Sequence, residues 1–168
     1  LLIPLIGIWL VFFPNAPYII TDLFHLRLKL NMPIWFDQVL ILSFAWTGLL
    51  FGFTSLRDLE RMLNNFTSRL ISGISVTVLL FGSSFGVYLG RYLRWNSWDF
   101  VLDPSALIYD IGTRVIHPSD HPRTWGMTLL MGLFLNIVYW SIRFLVHRER
   151  TDLRRQAKGQ LSGQANIS

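Results

Sequence analysis

Pro14-Asn15-Ala16-Pro17-Tyr18-Ile19-Ile20-Thr21-Asp22-Leu23-Phe24-His25 interrupts an apolar run with two prolines and an asparagine, then ends on an acid and a histidine. The uncharged residues 1–13 before it rise about 1.5 Å each as helix, too short a run to cross roughly 30 Å of hydrocarbon. Read through the prolines to Ile20, the same stretch is long enough. Proline removes a donor and bends a helix, and a membrane tolerates both where neighbouring helices supply partners. The stretch is therefore expected to be a kinked span with Asn15 held inside a bundle.

Working outward, residues 34–56, 70–89 and 125–146 are nearly free of charge and each is close to the length of a spanning helix. With no water in the bilayer core, a span of this length must satisfy its backbone internally, whereas barrel strands are about half as long and alternate in polarity. The chain is 52% hydrophobic and 15% charged, and its apolar residues fall in blocks, which excludes an ordinary soluble domain. The expected fold is an all-α, multi-pass transmembrane helix bundle of about four spans, the first truncated or proline-kinked. Residues 1–146 make the membrane domain, and 147–168 a basic, then polar tail, partly disordered and drawn to anionic lipid. With no basic segment before it and no small-residue cleavage site after it, the first run is expected to be a span and not a signal peptide. The chain starts with leucine, and further spans upstream are expected.

Arg57, Arg61 and Arg69 crowd one short loop, and Arg143, Arg148, Arg150, Arg154, Arg155 and Lys158 crowd the end of the last span and the tail. The loops 14–33 and 90–124 carry their basic residues sparsely, so they are expected outside and the short loop and tail in the cytoplasm. The net charge of +5 is concentrated at span ends, not in a stripe interleaved with aromatics, which excludes nucleic acid as a partner. The expected partners are membrane lipids and other membrane subunits, or a second copy. Without cysteine there are no disulfides, thiolate metal ligands or thiol nucleophiles.

Gly48 and Gly52, then Gly82, Gly86 and Gly90, recur every fourth residue and are expected at helix contacts. Ser83, Ser84 and Asn136 are expected to bond between helices. Trp35, Trp95, Trp98 and Trp125 mark the outer interface and Trp140 the inner one. In the second long loop, Asp103 caps a helix begun by Pro104, with Leu107, Ile108, Ile111 and Val115 on one face and Asp110 paired with Arg114. This reads as a short interfacial helix, followed by a proline-rich turn over 117–122. His117, Asp120 and His121 have ligand chemistry, but the prolines forbid the helix that would align the histidines; no metal and no cofactor is expected.

If 18–29 is helical, Tyr18, Asp22, His25 and Lys29 form one polar stripe. Asp22 three residues before His25 can orient the imidazole, making these two the candidate catalytic pair for proton transfer. The candidate ligand-binding residues are Asn15, Tyr18, Arg91, Arg94, Asn96 and Asp99. Arg91 and Arg94 leave the third span about one turn apart, placed to bind phosphate or to pair with Asp22, Asp37 or Asp99. No serine elbow, phosphate-binding glycine loop or zinc-protease helix is present.

Phe13-Pro14-Asn15-Ala16-Pro17-Tyr18 leading to Thr21-Asp22-Leu23 and His25, with Trp35-Phe36-Asp37 and with Gly90-Arg91 before Arg94-Trp95-Asn96-Ser97-Trp98-Asp99, resembles the bacterial integral-membrane family known as domain of unknown function 1361. The resemblance covers residues 1–146 and implies several spans in a bacterial plasma (inner) membrane. It carries over no catalytic or ligand residue.

Two functions follow from these residues. One is a non-enzymatic accessory, assembly or transport-related component with a polar outward face, in which Asp22, His25 and Arg94 are engaged and no cleft opens. The other is an enzyme or binder acting at the membrane surface on a lipid-linked or anionic substrate, in which Asn15, Asp22, His25 and the 91–99 patch converge on one pocket. A channel or transporter is less supported, because no span carries a charge at its middle.

Overall fold

The computed structural model of the chain describes residues 2–26 and 33–165, and the side chains of 4–23, 26 and 33–149. The described residues are all-α: α1 (Leu2–Phe12), α2 (Asn15–Tyr18), a 3-10 segment (Ile19–His25), α3 (Ile34–Leu63), α4 (Arg69–Tyr92), α5 (Asp99–Leu102), α6 (Pro104–Ile116), a 3-10 turn (Pro118–Asp120) and α7 (Pro122–Ala165). Four stretches are long and apolar enough to cross a membrane: Pro4–Leu23, Ile34–Leu63, Arg69–Tyr92 and Pro122–Glu149. This is a multi-pass helix bundle. The chain divides into two compact units, Leu1–Leu133 and Phe134–Ser168.

The first span is kinked where the prolines sit. Pro17 has no N–H to give the Phe13 carbonyl, and that carbonyl accepts instead from Ala16 N–H at 3.1 Å. Tyr18 N–H reaches the Pro14 carbonyl at 3.1 Å, and the chain then tightens into seven residues of 3-10 helix, longer than most such runs. The helical turn ends at His25, so the polar stripe expected to run on to Lys29 stops there, and Lys29 lies outside the described residues.

α2 lies between α3 and α4, and glycines admit it on both sides. Gly48 and Gly52 of α3 face Ala16, Ile19 and Phe13. Gly86 and Gly90 of α4 face Pro14 and Tyr18; a Cβ on Gly86 would stand 2.9 Å from Pro14 Cγ. Four of the five spaced glycines are thus close helix contacts, as small residues in membranes commonly are. Gly82 is the exception: a Cβ there would meet nothing within 4 Å, because the kink carries α1 away from α4 at that level. Trp9 Nε1–H donates to Ser55 Oγ at 2.6 Å and ties α1 to α3.

α3 runs past the expected end of its span at 56. Asp58-Leu59-Glu60-Arg61-Met62-Leu63 holds residues that favour helix and an Asp58–Arg61 pair at 2.9 Å, so charge ends the apolar run but not the helix. The expected loop 57–69 shrinks to 64–68, and Ser68 caps α4 by accepting from Ile71 N–H at 3.3 Å. Ser84, expected to bond between helices, donates within α4 to the Leu80 carbonyl at 2.9 Å. Leu49, Phe53 and Leu56 of α3 and Val76, Leu80 and Val87 of α4 are buried. Trp35, Phe44, Phe51, Val78 and Leu130 remain exposed, an outer apolar surface that suits lipid and not water.

α7 supplies Pro122 to Leu133 to the first unit, where Gly132 receives the Phe81 ring and the Trp125 ring lies 6.1 Å from that of Phe85. The remainder forms the second unit, in which the Arg143 guanidinium sits 4.6 Å from the Trp140 ring centroid. The helix continues unbroken through the expected domain boundary at 146/147. The side chains of Arg150, Arg154, Arg155 and Lys158 lie outside the described residues.

Candidate functional site

The C-terminal turn of α4 delivers Arg91 to the 3-10 segment. Its guanidinium donates to Asp22 Oδ1 at 3.0 Å, to the Thr21 carbonyl, and to the Tyr18 hydroxyl at 3.4 Å, and it lies 5.4 Å from the Tyr18 ring centroid. A planar fork with several donors suits such a divergent set of partners. Two sequence patches about 70 residues apart therefore form one structure.

α4 closes on Arg94, which takes a left-handed conformation (φ 60°), and Trp95 N–H returns to the Leu89 carbonyl at 3.3 Å. The chain then folds back over the kink. Asn15 Nδ2 donates to Ser97 Oγ at 3.4 Å, and the Ser97 hydroxyl donates to the Val11 carbonyl at 3.2 Å. Asp99 Oδ2 accepts from Asn96 N–H at 2.6 Å and shapes the turn into α5.

α6 is capped as expected, Asp103 accepting from Ala106 N–H at 3.2 Å. Leu107 is buried and Ile111 half-buried, but Ile108 and Val115 are exposed, so the apolar face divides between protein and surroundings. Two tryptophans expected to mark only the interface hold this helix instead. Trp95 Nε1–H donates to Asp110 Oδ2 at 2.8 Å, and Trp125 Nε1–H to the Arg114 carbonyl at 3.2 Å. Asp110 also pairs with Arg114 at 3.3 Å.

Between these parts lies an open cleft of about 510 Å³, against the expectation that an accessory component would open none. Leu10, Val11, Phe12, Pro14, Asn15 and Tyr18 form one side; Gly82, Phe85, Gly86, Leu89 and Gly90 form the floor; Trp95 to Trp98, Phe100, Leu107 and Ile111 close the other side. The described lining contains no carboxylate, imidazole, ammonium or guanidinium. Its polar groups are neutral: the amides of Asn15 and Asn96 and the hydroxyls of Tyr18 and Ser97.

Of the candidate residues, Asn15, Tyr18 and Asn96 meet on this cleft. Asn15 is exposed at its edge and not enclosed within a bundle, because the kink turns it toward the 95–98 loop. Asp22 and Arg91 pair with each other on the 3-10 segment, and neither is on the cleft's lining; Arg94 is exposed and Asp99 serves the turn. The His25 side chain lies outside the described residues. Ser97 and Gly82 belong to the cleft and carried no signal as site residues, since a lone serine and an evenly spaced glycine read as loop and packing. Among the described residues there is no group of three or more side chains able to hold a metal ion.

A family model described as "Protein of unknown function (DUF1361)" matches residues 1–138. No curated protein and no solved structure matches the chain.

Proposed function

The chain belongs to the DUF1361 family of proteins of unknown function, and from the site itself we propose a non-enzymatic integral membrane protein that holds an amphipathic molecule in its cleft, as an accessory, assembly or transport-related component. One observation carries this reading: the described lining joins an apolar slot to neutral hydrogen-bonding groups, while Asp22, Arg91, Asp99, Asp110 and Arg114 nearby already have partners. Acyl, phosphoryl or glycosyl transfer calls for a titratable group or an activated nucleophile at the reacting atoms. Ser97, the cleft's aliphatic hydroxyl, donates to a backbone carbonyl and has no base beside it among the described residues. Neutral amides and aromatic walls bind and orient.

The arginines at 57, 61 and 69 and the basic tail favour the cytoplasm for that side, which puts the cleft on the outer side of the membrane. Residues 1–146 then form the membrane domain and 147–168 its cytoplasmic extension.

The test is retention of a ligand. The full chain, purified in mild detergent and examined by native mass spectrometry, is expected to carry one amphiphile that survives delipidation, and to lose it in Gly82→Leu. His25→Ala is expected to keep both the amphiphile and the rescue of any deletion phenotype. Loss of rescue in His25→Ala at normal protein level, with the amphiphile retained, would turn the assignment to an enzyme.

A further inference from the structure

We infer that the occupant of the cleft is a membrane lipid with an uncharged, polyhydroxyl headgroup, its acyl chain lying along α4 and its headgroup held at Asn15, Tyr18, Asn96 and Trp98. This rests on the binding role proposed above and names the ligand for it.

The floor of the cleft follows α4 from Gly82 to Gly90, about 12 Å of helix axis. Leu10, Phe85 and Leu89 line it, Tyr18 stands against Gly90, and Asn15 and Ser97 join beside Pro14 and the Val11 carbonyl. An apolar slot edged by neutral polar groups, built on a spanning helix, suits a molecule that is part oily and part hydrated.

The polar edge has unused hydrogen-bonding capacity of both kinds. Asn15 donates one long bond to Ser97, while its carbonyl oxygen, the whole side-chain amide of Asn96 and the indole N–H of Trp98 have no partner among the described residues. Tyr18 accepts from Arg91 and keeps its own O–H to give. Hydroxyl groups both donate and accept, so a sugar or glycerol headgroup can satisfy all four residues. Trp98 is 66% exposed, and an indole at headgroup depth packs against the C–H face of a sugar ring.

The described lining carries no charge to match the commoner headgroups. A phosphate is expected to sit on a guanidinium or ammonium, yet the Arg91 fork is turned to Asp22 and the Thr21 carbonyl, and Arg94 is not on the lining. A cationic headgroup is expected to need a carboxylate there, and the described lining has none.

The test uses the full chain in phosphatidylcholine vesicles, each doped with one photoactivatable lipid of identical acyl chains: monoglucosyl diacylglycerol, phosphatidylglycerol or plain diacylglycerol. The glucosyl lipid is expected to label residues 10–18 and 82–98 about tenfold more than either of the others, from two or so added hydrogen bonds. Asn96→Ala is expected to lower glucosyl labelling about fivefold and leave diacylglycerol labelling unchanged. Gly82→Leu grows into open space and is expected to lower labelling by all three lipids with unchanged melting of the protein. Phosphatidylglycerol labelling as strongly as the glucosyl lipid would overturn the headgroup assignment, and sensitivity of that labelling to Gly82→Leu would leave the binding role standing. Labelling by every lipid that ignores both variants would overturn the two together.

Discussion

The Arg91 guanidinium stands 3.0 Å from the Asp22 carboxylate, joining the end of α4 to a 3-10 segment 69 residues earlier in the chain. Arg91 is 12% exposed and Asp22 46% exposed, so the two partners are not equally replaceable. Asp22→Asn leaves a half-solvated amide in place and is expected to cost less than about 1 kcal/mol. Arg91→Lys keeps the charge but gives up the fork that also serves the Thr21 carbonyl and Tyr18, at an expected cost of about 2 kcal/mol. Equilibrium unfolding in mixed micelles reads both, and a larger loss for Asp22→Asn would show that the ion pair, not the backbone bond, holds the segment.

Gly82 and Gly86 lie one turn apart on α4 and are expected to respond in opposite senses. At Gly86 a methyl would press on the Pro14 ring, and Gly86→Ala is expected to destabilise by about 1–3 kcal/mol, as overpacking does. At Gly82 the space is open, and alanine is the better helix former by about 1 kcal/mol. Gly82→Ala should therefore be neutral or slightly stabilising in the same unfolding measurement. Equal losses at the two positions would mean that α1 closes on α4 along its whole length and that the cleft is not there.

That contrast shows what the residues alone can disclose. The four spans were legible because the thickness of hydrocarbon fixes how long an apolar helix must be, and any chain can be measured against it. The meeting of Asp22 and Arg91 was legible for a related reason: both sit where a span reaches the interface, and opposite charges at one depth find each other. Gly82 was not, since its spacing matches that of Gly86 and only the bend of a different helix decides what faces it. Ser97 and Asn15 come together across 82 residues through that same bend. The extra turns of α3 are not legible in the apolar run, because Asp58 to Leu63 favour helix without being apolar.

Trp95 and Trp125 fasten α6 from two sides, through Asp110 and through the Arg114 carbonyl. Trp95→Phe keeps an aromatic ring, though a smaller one, and removes the 2.8 Å bond, leaving the Asp110 carboxylate with Arg114. A net hydrogen bond of about 1 kcal/mol corresponds to roughly fivefold faster opening. Amide hydrogen exchange over 104–116 is expected to speed up by that factor, with exchange in the middle of α3 unchanged. Uniform acceleration throughout the chain would show that Trp95 supports the bundle and not α6 in particular.

The absence of native cysteine allows single reporters to be placed without background. Asn65→Cys sits in the link between α3 and α4, and Asn96→Cys and Ser119→Cys in the stretches between α4 and α7. Asn65, Asn96 and Ser119 are all exposed, so a thiol at each can be reached from the adjoining water without unfolding. One complete crossing by α4 puts position 65 on the opposite side of the bilayer from 96 and 119. An impermeant maleimide added outside intact cells is expected to label Asn96→Cys and Ser119→Cys, and to reach Asn65→Cys only after permeabilisation. Labelling of 65 alone from outside would invert the orientation while keeping the spans, and labelling of 65 and 96 from one side would remove α4 as a crossing helix and the lipid-facing cleft with it.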